Sequence, residues 1–159
     1  ILTNTGMMPN TLVLGYQVYR QLRNHPDLVD RIKYGGMAAQ AGRTATVTME
    51  VMAQRFDVER VMVARAVKAT NKEGATGAYA FTHGKHALLC YSAPAPALMT
   101  PSAGYVFAWR GVSGPLGTTI GVSSFRMEQL KSDRVESEYA FDNKVIGSDL
   151  GYFFSGAVA

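Results

Sequence analysis

Catalysis needs polar groups that converge on one point, and this chain offers few. Its three histidines are His25, His83 and His86, and its one cysteine is Cys90. His83 and His86 stand three apart in a strand-turn-strand region, where they need not share a face. With Cys90 they form the one conceivable metal or nucleophile set. Zinc-like spacing calls for a second ligand pair, which the sequence lacks. A Cys90 nucleophile with His86 as its base is also weak, because Cys90 lies inside an apolar run where a cysteine acts as a small inert core residue. The expectation is no catalytic residue, no metal and no cofactor.

Other motifs fare no better. Gly111, Gly114 and Gly117 share only glycine content with a phosphate loop. The loop holds Pro115, lacks a P-loop lysine, and runs into the β-prone Thr118-Thr119-Ile120 rather than a helix N-terminus. Glu136 and Glu138 are the one close carboxylate pair of interest. Two apart on a strand, they lie on one face and read as an exposed edge or interface row. The eight methionines suit core filling and adaptable contact surface.

The elements that must carry these residues form an α+β body. A strand at 11–14 is followed by a helix at 16–24, in which Val18, Tyr19 and Leu22 share a face. His25-Pro26 interrupts it, and a second helix covers 27–33. A small-residue loop follows from Gly35-Gly36 through Gln40 to Gly42 and Arg43. Thr48 is the expected N-cap of a helix whose Met49, Met52, Ala53 and Phe56 fall at i, i+3, i+4 and i+7. Residues 60–69 read as one strand, 71–74 as a turn, and 78–81 and 86–92 as two more strands. Pro94, Pro96 and Pro101 stiffen an extended crossing segment, the best boundary between two lobes. Residues 105–109 form a β-prone strand. Two long strands follow at 118–130 and 133–141, then a turn at Asp142-Asn143. The apolar 151–159 stretch reads as a terminal strand.

Composition bounds the function. The chain has 159 residues, fits one domain or a large piece of one, and is 47% apolar. It carries 28 charged residues, 16 basic and 12 acidic, where an average chain of this length has about 40. Faces short of charge suit a subunit covered by its neighbours. The net charge of +4 is scattered; it permits nucleic-acid contact without arguing for it. A single cysteine excludes an intramolecular disulfide and fits a reducing compartment. No apolar run approaches the roughly 18 residues of a membrane span.

An ordered set of segments resembles the major capsid proteins of tailed bacteriophages. Pro9-Asn10-Thr11-Leu12-Val13-Leu14-Gly15, with Val18, Leu22, His25-Pro26 and Ile32-Lys33-Tyr34, looks like the strand-helix opening of that family's axial domain. Phe56-Asp57-Val58-Glu59-Arg60-Val61 and the residues to Val67 look like its helix end and following strand. Residues 84–93, leading through Pro94 and Pro101 to Gly104-Tyr105-Val106-Phe107-Ala108-Trp109, look like its later strands. Residues 126–146 resemble the long β-hairpin of the peripheral domain, and Gly151-Tyr152-Phe153-Phe154 the returning terminal strand. The resemblance implies the phage capsid (Johnson) fold: an axial-domain body over 1–117, a peripheral hairpin over 118–147 and a terminal strand over 148–159. The family's N-terminal arm, extended loop and spine helix are expected before Ile1, in line with the non-Met start.

That family implies a structural role rather than an enzyme. Copies would self-assemble into pentamers and hexamers of a virion or prophage capsid made in the host cytoplasm, enclosing DNA held by non-specific contact, without a membrane. Expected interface residues are Gly35, Gly36, Gln40 and Arg43 near the capsomer axis, and Lys131 and Arg134 of the hairpin. Arg126, Glu136 and Glu138 are expected in inter-subunit ion pairs. Two alternatives stay open: an encapsulin-like shell around protein cargo, and a small cytosolic enzyme using His83, His86 and Cys90.

Overall fold

The computed structural model describes residues 1–34, 47–109 and 120–158. The chain divides into two units, Ile1–Ala103 with Gly147–Ala159, and Gly104–Ile146.

The first unit is built on a four-stranded mixed sheet. β1 (Thr11–Gly15) is central. It pairs in parallel with β2 (Arg60–Ala64) and antiparallel with β5 (Ala87–Cys90), which pairs in turn with β10 (Gly151–Phe154). Alternation sends Leu12, Leu14, Val61 and Ala87 to one face. There they meet Val18 of α2 (Tyr16–Arg23) and Met52 of α4 (Met49–Phe56), with Val47 and Val58 completing the core. Met52 is fully buried. Thr48 caps α4 as expected, its Oγ1 accepting from the Val51 N–H at 3.4 Å. α3 (Pro26–Tyr34) begins at the predicted break, and its Val29 packs against the core.

Asn10 does more than mark a turn. Its side-chain amide donates to the Ser92 carbonyl at 2.8 Å and accepts from the Ser92 N–H at 2.9 Å. The amide thus mimics one more peptide of the β1–β5 ladder.

Three sequence readings are corrected. Residues 60–69 are two strands, not one: β2 stops where its partner β1 stops, at the Gly15–Ala64 pair. β3 (Val67–Ala69) then pairs with β4 (Tyr79–Phe81) in a separate ribbon. Asp142 and Asn143 are not a turn. They lie inside β9 (Phe141–Val145), opposite Phe107 and Val106 of β6 (Gly104–Ala108), so ladder pairing overrides their turn propensity. Phe141 therefore does not continue the preceding strand. A four-residue helix, α1 (Leu2–Thr5), closes on Gly6 at φ 71°; the sequence reading had no helix there.

The described residues of the second unit form two antiparallel ribbons. One is β6–β9. The other pairs β7 (Ile120–Met127) with β8 (Ser132–Tyr139) through a 3-10 turn, Glu128–Leu130.

Candidate assembly surface

The β7–β8 hairpin sends its side chains alternately to two faces. Register places Val122, Ser124 and Arg126 opposite Ser137, Val135 and Asp133, with Tyr139 in the same row set. Gly121, Ser123 and Phe125 stand opposite Glu138, Glu136 and Arg134 on the other face. Val122, Val135 and Tyr139 are 71%, 68% and 64% exposed. Among the described residues of 104–146, none is buried. Every buried residue of the described chain belongs to the first unit. An isolated two-stranded ribbon is at best marginal in water.

Charges on the hairpin pair locally. Arg126 Nη1 meets Asp133 Oδ1 at 3.1 Å directly across the strands, and its Nε lies 3.9 Å from Glu128 Oε1. Arg134 Nη2 meets Glu136 Oε1 at 2.7 Å, and the Arg134 guanidinium lies over the Phe125 ring at 5.8 Å. Lys131 ends the tip turn with a left-handed backbone at φ 47°. Arg126, Lys131, Arg134, Glu136 and Glu138 are thus gathered on one hairpin. Gly35, Gly36, Gln40 and Arg43 lie outside the described residues, as does the loop of Gly111, Gly114 and Gly117.

The histidine-cysteine set is not brought together. His86 closes a turn on the His83 carbonyl, accepts from the Gly156 N–H through Nδ1 at 3.2 Å, and rests its ring on Phe153. Cys90 lies at the far end of β5, four residues or about 13 Å along the strand. Burial pushes its thiol above the usual range, with the Arg60 charge a smaller opposing effect. A thiol held neutral is a poor nucleophile. Among the described residues no three His, Cys, Asp or Glu side chains cluster to hold a metal. No described helix is long and apolar enough to cross a membrane.

No protein-family model matches the chain. Along 161 aligned residues it is 30% identical to the major capsid protein of Burkholderia phage BcepMu, covering 98% of this chain and 46% of that protein. The chain is similar to a phage major capsid protein. A solved structure of a phage-related protein from Bordetella bronchiseptica superposes with a TM-score of 0.76 at 24% identity, covering 98% of this chain and 47% of the other. That likeness shows the shared fold. The chain spans about half the length of both relatives. The capsid-protein match agrees with the resemblance carried by the ordered segments from Pro9 to Phe154. The exposure of Val122, Val135 and Tyr139 was not legible beforehand: alternation gave the two faces of residues 133–139 but not their degree of burial.

Proposed function

We propose that this chain is part of the structural subunit of a viral or prophage capsid. The observation that carries the reading is the similarity to a major capsid protein along 98% of the chain. Subunits self-assemble as pentamers and hexamers and enclose DNA. In this reading residues 1–117 form the axial body of the Johnson fold, 118–147 the peripheral hairpin and 148–159 the returning strand. The hairpin's exposed Val122, Val135 and Tyr139 and its charged residues Arg126, Lys131, Arg134, Glu136 and Glu138 face neighbouring parts of the shell. The chemistry of such a shell is repetition. A modest heterologous contact, made by every copy, closes rings, and many copies multiply a small interface free energy. A low charge density lowers the desolvation cost of each contact.

The test is negative-stain electron microscopy and sedimentation of the full-length protein expressed from its complete coding region. Closed shells or five- and six-membered rings are expected. A well-folded monomer at high concentration would overturn the reading. Nuclease-protected DNA inside the particles is the expected content; protein cargo there would redirect the reading to an encapsulin-like shell.

A further inference from the structure

The polar side of α2 borders a cleft that the hairpin surface does not include. Gln17, Arg20, Gln21 and the C-cap Asn24 fall at i, i+3, i+4 and i+7, so they share one side of the helix. With Lys85 and Val158 they line a cleft of about 280 Å³. Two of the lining side chains are cations, three are amides and none is an acid.

Three distant stretches of chain build this cleft, and backbone bonds fix them together. The Gly15 N–H donates to the His86 carbonyl at 2.8 Å and the Gln17 N–H to the Gly84 carbonyl at 3.2 Å, which seats the 83–86 turn on the start of α2. The Ala157 N–H donates to the Lys85 carbonyl at 2.8 Å, and Val158 packs against the core. The backbone of Lys85 is thus held between the strand-helix junction and the 157–158 stretch. The fold assembles the cleft before any ligand arrives, which lowers the ordering cost of binding.

Both cations lack an anionic partner. Among the described residues neither Arg20 nor Lys85 makes an ion pair, whereas Arg126, Arg134 and Lys144 all do. Arg20 lies in the last turn of α2, where a cation also complements the helix dipole. That effect does not account for Lys85, which belongs to no helix, or for the three amides beside it. Two positive charges and three amide donors around an acid-free cleft suit an anion with several acceptor oxygens. Arg, Lys, Asn and Gln are among the side chains that hold nucleic-acid phosphates.

We infer that this cleft binds a phosphate group. The capsid reading makes the enclosed DNA the source of that phosphate, and this assignment rests on the reading; the site itself does not.

The test uses the unassembled full-length subunit at low salt. Inorganic phosphate is expected to shift the side-chain amide NMR signals of Gln17, Gln21 and Asn24 along a saturable curve. Arg20→Gln with Lys85→Gln removes the response and leaves the melting temperature unchanged, because both side chains are exposed. Arg55→Gln with Lys72→Gln removes the same charge outside the cleft and leaves the response intact. Gln21→Ala with Asn24→Ala weakens phosphate binding at unchanged net charge. A short DNA duplex competes with phosphate, and the Arg20–Lys85 variant lowers duplex affinity about tenfold and its log–log salt slope by about two. An absent or unsaturable phosphate response, or an equal loss in the Arg55–Lys72 control, overturns the site. Saturable phosphate binding with no competition from the duplex overturns the DNA source and leaves free phosphate as the ligand. A subunit that binds phosphate but never assembles keeps the site and overturns the capsid reading.

Discussion

Gly15 sits where β1 hands over to α2, and a methyl group there has no room. Its backbone, φ −64° and ψ 152°, is open to any residue, so the constraint is close approach rather than conformational freedom. A Cβ would lie 2.0 Å from the His83 carbonyl oxygen and 2.4 Å from that of Gly84. Both are backbone atoms, so the turn of residues 83–86 must move by more than 1 Å to admit it. That turn is held by two bonds, Gly15 N–H to His86 O at 2.8 Å and Gln17 N–H to Gly84 O at 3.2 Å. Overpacking of this kind costs about 1–3 kcal/mol, and losing two net hydrogen bonds adds about 0.5–1.5 kcal/mol each. Gly15→Ala is therefore expected to destabilise the fold by about 2–6 kcal/mol. At about 2–4 °C per kcal/mol, the melting temperature falls by roughly 5–20 °C. Calorimetry of the unassembled protein reads this directly. Gly84→Ala is the control: its Cβ would meet the flexible end of Gln17 at 3.2 Å, and its expected cost is below about 1 kcal/mol. A Gly15→Ala protein melting within about 1 °C of wild type would refute the close-packed junction.

Further outcomes follow from the same contacts. Asn10→Ala removes both amide bonds to Ser92 and lowers stability by about 1–3 kcal/mol in denaturant titration. Asn10→Asp keeps the acceptor but loses the donor to the Ser92 carbonyl, and recovers only part of that loss. The Glu50 carboxyl is held below its usual range by the Thr48 hydroxyl and then by its own backbone N–H. Its contribution is present above the unfolded-state pKa and fades as pH falls through the lower folded value. Thr48→Ala should move the Glu50 midpoint upward in an NMR titration, and an unmoved midpoint would contradict the assignment. Burial raises the Cys90 pKa, so thiol reagents should modify the native protein far more slowly than the unfolded chain. Stability from that neutral thiol is complete below the unfolded pKa and is lost as pH rises through the higher folded value. Arg126 and Asp133 are half exposed or more, so Arg126→Ala should change subunit stability by less than about 1 kcal/mol.

How far the sequence spoke depends on which force decided each element. Thr11 to Gly15, the α2 face of Val18 and Leu22, and Thr48 as a cap were legible because local rules and tertiary packing agree there. The split at Arg65 and Ala66 was not, because β2 ends where β1 runs out, a fact about a partner strand. Asp142 and Asn143 carried a genuine turn signal that pairing with Phe107 and Val106 outweighed. At the hairpin, the alternation of residues 132–139 was readable, and so was the gathering of Arg126, Arg134 and Glu136. The side of Arg126 that meets Asp133 was not, because register across a turn depends on the turn's length, here set by the left-handed Lys131. His83, His86 and Cys90 were close in sequence but strand geometry separates them. The shortage of charge led to the expectation of covered faces, yet only coordinates could show which large apolar side chains stand exposed, among them Val122, Val135 and Tyr139.

Electron cryomicroscopy of the particles formed by the full-length protein tests the central claim most directly. A closed shell is expected, whose every subunit contains this chain's four-stranded sheet and its β7–β8 hairpin, with Val122, Val135 and Tyr139 packed against other parts of the shell. Particles absent under all assembly conditions, or a shell in which Val122, Val135 and Tyr139 still face solvent, would contradict it.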